Sequence, residues 1–181
     1  MLVGADADTV DAQGQEGTVL LENAKNVSEL DVLCILGLGL NDHGYTVSEF
    51  NGSLICNETG LSANRNCAIA NVRTPYATIS DDDVRFNNED IDKLFSLIAS
   101  NPDTDIFCLK CRIANGPDMK NYPRAEYTYP LQPYGAYVSS WEIVIKMSER
   151  IPPFDINYGL KSQHLSCGEE EIFLIDAHKR G

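Results

Sequence analysis

Apolar positions along the chain recur with two periods, near two and near 3.6 residues, and the switches between them mark out strands and helices in turn. Met1–Ala5 is a short apolar run that reads as a first strand, and the Asp/Gln/Gly stretch up to Gly17 reads as a loop. Val19, Leu20, Ala24, Val27 and Leu30 fall at helical spacing within Thr18–Leu30, and the continuous apolar run Val32–Leu36 predicts a buried strand. Asn41–Gly44 reads as a turn and Ser53–Cys56 as another short strand. Ser62 is a candidate N-cap for a short helix over Ala63–Asn71, stopped before Pro75, and Tyr76–Ser80 then reads as a strand running straight into three aspartates.

Asn88 precedes an amphipathic run with Ile91, Leu94, Phe95, Leu97 and Ile98 on one face and acids in its first turn, where the helix dipole favours them. Thr104–Ile113 is strand-like and Val138–Met147 is apolar again. Between them, Gly116–Gly135 is rich in Pro, Tyr and Asn without periodicity, which predicts a loop lying over a site. Ile151-Pro152-Pro153 breaks the chain, Phe154–Gly168 is irregular, and Glu169–Lys179 reads as a helix stopped by Gly181. Strands alternating with helices predict an α/β fold with a mainly parallel sheet flanked by helices.

A length of 181 residues suits one domain, here 1–181, with its own core. Composition changes the picture mainly through charge. With 27 acidic against 14 basic residues the net charge is -13, which repels nucleic-acid backbones over the whole surface and leaves an anionic ligand to be bridged by a divalent cation. The longest apolar stretch, around Val32 to Leu40, is too short to span a bilayer, and no basic-then-apolar leader opens the chain, so a soluble cytoplasmic chain is expected. The six cysteines follow no secreted framework and read as reduced, buried thiols; the Cys108-x-x-Cys111 pair has no second pair with which to build a zinc site.

Asp81-Asp82-Asp83 raises the question of chemistry directly. Adjacent carboxylates raise one another's proton affinity unless water or a cation meets them, and strand alternation lets Asp81 and Asp83 point the same way. Such oxygen ligands suit Mg²⁺ or Mn²⁺ shared with substrate phosphates; a solvated acidic turn is the competing explanation.

Gly60-Leu61-Ser62-Ala63-Asn64-Arg65-Asn66, followed by Tyr76-Ala77-Thr78-Ile79-Ser80-Asp81-Asp82-Asp83, resembles family 2 glycosyltransferases of the GT-A fold, of the bacterial surface-polysaccharide type. Ser140-Trp141-Glu142-Ile143, Phe154-Asp155 and Cys167-Gly168-Glu169-Glu170-Glu171 resemble the later part of the same family. The resemblance runs from Leu54 to Gly181 and implies a GT-A-like, Rossmann-like single domain, shortened at both ends. It also implies a UDP- or GDP-sugar donor, a Mn²⁺ or Mg²⁺ ion, a glycan or lipid-linked acceptor reached by peripheral association at the inner face of a membrane, and inversion at the anomeric carbon. By the same resemblance Asp83 and Asp81 hold the metal, Asp81, Asp82 and Arg65 serve the donor, and Glu170, with Glu169 beside it, is the base. Trp141 would stack on the acceptor sugar.

Each of these has a plainer alternative. Glu169–Glu171 also suits a dipole-stabilised first helical turn, Arg65 a structural ion pair, and a lone Trp beside Ile143 the core. A non-catalytic carbohydrate- or partner-binding chain derived from the same fold is the rival function, and a nucleotidyltransferase lacks its Gly-rich phosphate loop here.

Overall fold

The computed structural model describes residues 32–36, 60–72, 74–80, 88–113, 116–162 and 164–181. The strand expected at Met1–Ala5, the helix at Thr18–Leu30, the turn at Asn41–Gly44 and the strand at Ser53–Cys56 lie outside them. In chain order the elements are β1 (Val32–Leu36), α1 (Leu61–Ala70), β2 (Tyr76–Ser80), α2 (Asn88–Ser100), β3 (Ile106–Cys108), a 3-10 turn (Ser140–Glu142), β4 (Ile143–Lys146) and α3 (Glu169–Arg180).

The strands form one sheet in the order β1-β2-β4-β3. β1 and β2 pair in parallel, Val32 opposite Tyr76 and Leu36 opposite Ser80, whereas β4 runs antiparallel to both β2 and β3. Among the described residues the expected mainly parallel sheet is thus a mixed one, with β1–β2 as its parallel pairing. The reason lies in the connection: the chain leaves β3 and enters β4 at the same edge of the sheet, so β4 must run back between its neighbours.

Side-chain alternation sends the two faces of this sheet to different helices. Phe107 and Val144 meet Leu94 of α2, with Tyr76, Phe95, Leu97 and Ile98 around them. On the other face Ile79, Ile143 and Ile145 pack with Phe154 and with Phe173 and Leu174 of α3. The rings of Phe154 and Phe173 stack with centroids 4.3 Å apart and planes 7° from parallel. Each such buried ring contributes about 1.5–3 kcal/mol through its area alone.

The strand expected over Thr104–Ile113 ends early, at Cys108. Leu109 still donates its N–H to the Glu142 carbonyl (2.7 Å), but beyond it the chain pairs with itself, Met119 N–H to the Cys111 carbonyl (3.0 Å) and Ile113 N–H to the Pro117 carbonyl (3.0 Å). Gly116–Gly135 carries no helix or strand, as its composition suggests, and within Val138–Met147 only Ile143–Lys146 is extended sheet. Cys108 and Cys167 are exposed free thiols and Cys111 is a half-buried one, while Cys67 is in a disulfide, so the expectation of six reduced, buried thiols is corrected.

α1 begins two residues earlier than expected, after Gly60, and Ser62 does not cap it. The Ser62 hydroxyl instead donates to the Tyr158 carbonyl at 2.6 Å. Asn66, one turn on, accepts the Phe154 N–H at 2.7 Å and donates to the Phe154 carbonyl at 2.8 Å. One face of α1 thereby takes the place of a strand partner for the irregular segment that leads into α3. Asn66→Ala leaves both backbone groups of a residue that is 1 % exposed without partners, and urea unfolding is expected to show a loss of about 2 kcal/mol or more. A loss below about 0.5 kcal/mol, the level of an ordinary surface substitution, would mean that this clamp is not what seats Phe154.

Candidate active site

The direction of α3 decides where its acidic first turn lies. Its C-terminus is pinned beside the start of β3: Arg150 donates from Nη1 to the Gly181 carbonyl (3.0 Å) and from Nη2 to Asp105 Oδ1 (2.8 Å). Its first turn lies at the other end, where Glu171 and Leu174 line one small pocket with Val138, two residues before the 3-10 turn. That is the edge at which β3 ends at Cys108, β4 begins at Ile143 and β2 ends at Ser80, one residue before Asp81.

At this edge Arg65 reaches from α1 into the start of α3. Its Nη1 lies 3.1 Å from Glu169 Oε1 and 3.3 Å from Glu170 Oε1, with the three side chains 2 %, 7 % and 17 % exposed. The guanidinium carbon sits 5.3 Å from the centre of the Phe154 ring, a cation–π contact that lends a desolvated cation some of what water would supply. Gly168, in the left-handed region at φ 89°, turns the chain into α3. Gly159, at φ +99°, lies so close that a Cβ there would stand 2.9 Å from Ser62 Oγ and 3.3 Å from Glu169 Cδ. Glycine at 159 is therefore a condition for Glu169 to meet Arg65.

Burial raises the proton affinity of the Glu170 carboxyl above the ordinary carboxylate range. Arg65 opposes this, and the charge of Glu169 with a hydrogen bond to its carboxyl adds to it; the net direction is upward. A carboxylate so placed is a stronger base than one in water, and 17 % exposure leaves part of it open to solvent. Arg65 Nε is buried and has no hydrogen-bond partner among the described residues.

A second acidic cluster, not singled out from the sequence, lies on the same edge. Glu142 is 2 % exposed; its Oε2 accepts from Lys120 Nζ (2.7 Å) and from the Ser139 N–H (2.9 Å), and its Oε1 from the Tyr122 hydroxyl (2.5 Å). The Tyr122 oxygen in turn accepts the Cys111 N–H at 2.9 Å, and Lys120 lies 4.0 Å from the centre of the Tyr137 ring. Burial and then Glu142 push the Cys111 thiol up to about 11, so it stays protonated. The signal was present in the sequence: Ser139-Ser140-Trp141-Glu142 has the S-x-x-E spacing of a capping box, which the structure forms.

Of the residues singled out beforehand, the structure brings together Arg65, Glu169 and Glu170. Trp141 lies in the 3-10 turn at the same edge, half-buried, with Nε1 buried and unpartnered among the described residues. Asp81, Asp82 and Asp83 fall outside the described residues, and among those described no group of three His, Cys, Asp or Glu is arranged to hold a metal ion.

The model of glycosyl transferase family 2 matches residues 54–164, more than half of the chain, and takes in the α1 motif, Asp81–Asp83 and Trp141. The chain belongs to glycosyl transferase family 2. Membership carries the GT-A fold and glycosyl transfer from a nucleotide sugar as the general activity. The matched range stops before Glu169 and Glu170, so their place beside Arg65 is information that the structure adds. No curated protein and no solved structure matches the chain. Among the described residues no helix is long and apolar enough to cross a membrane.

A group whose proton affinity rises on folding adds stability below the ordinary carboxylate range, and that contribution is lost as pH rises through the folded-state value. Glu170→Gln, neutral at every pH, is therefore expected to match wild type in acid and to exceed its Tm near neutrality. Thermal unfolding of both proteins across that range checks this; a lower Tm for the variant at neutral pH would show that the ionised carboxylate is a net stabiliser.

Proposed function

We propose that this family 2 chain transfers a sugar, with inversion, from a nucleoside diphosphate donor to a hydroxyl of a glycan or lipid-linked acceptor, and that Glu170 is the base. The observation that carries the reading is the burial of Glu170 beside Arg65 and Glu169 at the sheet edge to which β2 leads. Glu170 takes the proton of the acceptor hydroxyl as its oxygen bonds to the anomeric carbon. The bond from that carbon to the diphosphate oxygen breaks, and the electron pair leaves with the diphosphate.

Asp81 and Asp83 would hold Mn²⁺ or Mg²⁺, with Asp82 beside them toward the donor; carboxylate oxygens are the donor set these hard cations take. When bound, the ion supplies compensation for the charge that develops on the leaving diphosphate. Glu142 has both oxygens committed to Lys120, Tyr122 and Ser139 and is not among these ligands. Trp141, half-buried at this edge, would offer the acceptor sugar an aromatic face. A cytoplasmic setting, at the inner face of a membrane where the acceptor is lipid-linked, fits this substrate pair.

Calorimetric titration with UDP and with GDP, each with and without Mn²⁺, tests the donor half of the reading. Binding is expected to need the metal and to weaken at least roughly tenfold in Asp83→Ala, the scale on which a single ligand or its support matters. A folded wild-type chain that binds neither nucleotide would overturn the enzyme reading and favour a non-catalytic sugar- or partner-binding chain on the same fold.

A further inference from the structure

The three charged side chains at the start of α3 divide by exposure. Arg65 and Glu169 are enclosed, at 2 % and 7 %, and Glu170 is the most open, at 17 %. Arg65 is held by a relay: Asn66 clamps the Phe154 backbone, the Phe154 ring stacks on Phe173, and the guanidinium lies against that ring. An ion pair kept for stability alone is expected to satisfy its buried polar atoms. Here Arg65 Nε is buried without a partner among the described residues, although one more carboxylate than guanidinium is present.

We propose that Arg65 and Glu169 are positioning residues for Glu170: one guanidinium nitrogen holds both carboxyls, so that Glu170 faces its reactant in one orientation, with one charged neighbour of each sign. The inference rests on the reading of Glu170 as the base. With both carboxyls ionised the set carries one net negative charge, and uptake of the acceptor proton by Glu170 brings it to zero. In a site this dry, that change is favoured, because the product state is the electrically balanced one. Arg65 restrains the proton affinity of Glu170 and Glu169 enhances it, and these are the charged groups that act on it from α1 and from its own helix.

The two neighbours therefore pull the proton affinity of Glu170 in opposite directions. Carbon-13 NMR titration of the Glu170 side-chain carboxyl, assigned by its loss in Glu170→Gln, reads this directly in the full chain. The midpoint is expected to fall in Glu169→Gln, which keeps shape and removes a negative charge, and to rise in Arg65→Gln. Arg65→Lys, which keeps the charge, is expected to return the midpoint toward wild type. Should Arg65→Gln not fold, the isosteric Glu169→Gln still decides: a folded variant whose Glu170 midpoint stays put or rises overturns the proposal. The titration needs no turnover. Midpoints that move as expected in a chain without transferase activity remove the role of Glu170 as base and keep the coupling, while unmoved midpoints in an active chain remove the coupling and keep the base.

Discussion

A guanidinium that is 2 % exposed must find its compensation inside the protein, and much of this structure follows from where Arg65 finds it. An unpaired cation at that depth would cost several kcal/mol, more than most single interactions contribute. Two carboxylates from the first turn of α3 and the ring of Phe154 supply the compensation. To bring them there, the irregular segment after Pro153 must be held against α1. Ser62 and Asn66 do this through backbone groups of Tyr158 and Phe154, and glycine at 159 leaves room for the approach. A short motif on one helix thus determines the position of an acidic turn a hundred residues later in the chain.

The edge of the sheet carries two buried acids in contrasting states. Glu142 is fully engaged, both oxygens accepting from a lysine, a tyrosine hydroxyl and a backbone N–H, and it fastens the tyrosine-rich segment over the ends of β3 and β4. Glu170 is partly engaged and partly open, and its proton affinity is raised by burial. A satisfied acid makes an anchor, whereas an acid with an open face and a raised proton affinity can move a proton. The same edge therefore holds one fully satisfied acid and one that is partly open.

Much of this was legible from the chain itself, and the failures have physical reasons. β1 and β2 have the bounds that their apolar runs suggest, and α2 and α3 lie within a residue or so, because burial on one face imposes the period that a reader can see. Ser62 was misread as a cap because its hydroxyl has a choice of carbonyl and amide partners, and it takes one 96 residues away. The strand from Thr104 was drawn too long because the self-pairing beyond Leu109 depends on a turn, not on hydrophobicity. The reversed direction of β4 is invisible to periodicity, which is the same in parallel and antiparallel strands. The motif leaves Arg65 as a donor-site residue or an ion-pair partner, and its described ion pairs are with the two glutamates. Glu142 was passed over although its capping-box spacing was on view, because a satisfied buried acid looks from the sequence like any other.

The central claim is that the donor and its metal bind at the edge where β2 and β3 end and α3 begins. Paramagnetic line broadening by Mn²⁺ with UDP in an isotope-labelled chain tests it most directly. Signals of Leu109, Trp141, Glu142 and Glu169–Glu171 are expected to broaden in the presence of both additions, while those of Asp105, Arg150 and Gly181 at the opposite edge stay sharp. Broadening confined to the opposite edge, or spread over the acidic surface and unchanged when UDP is left out, would contradict it.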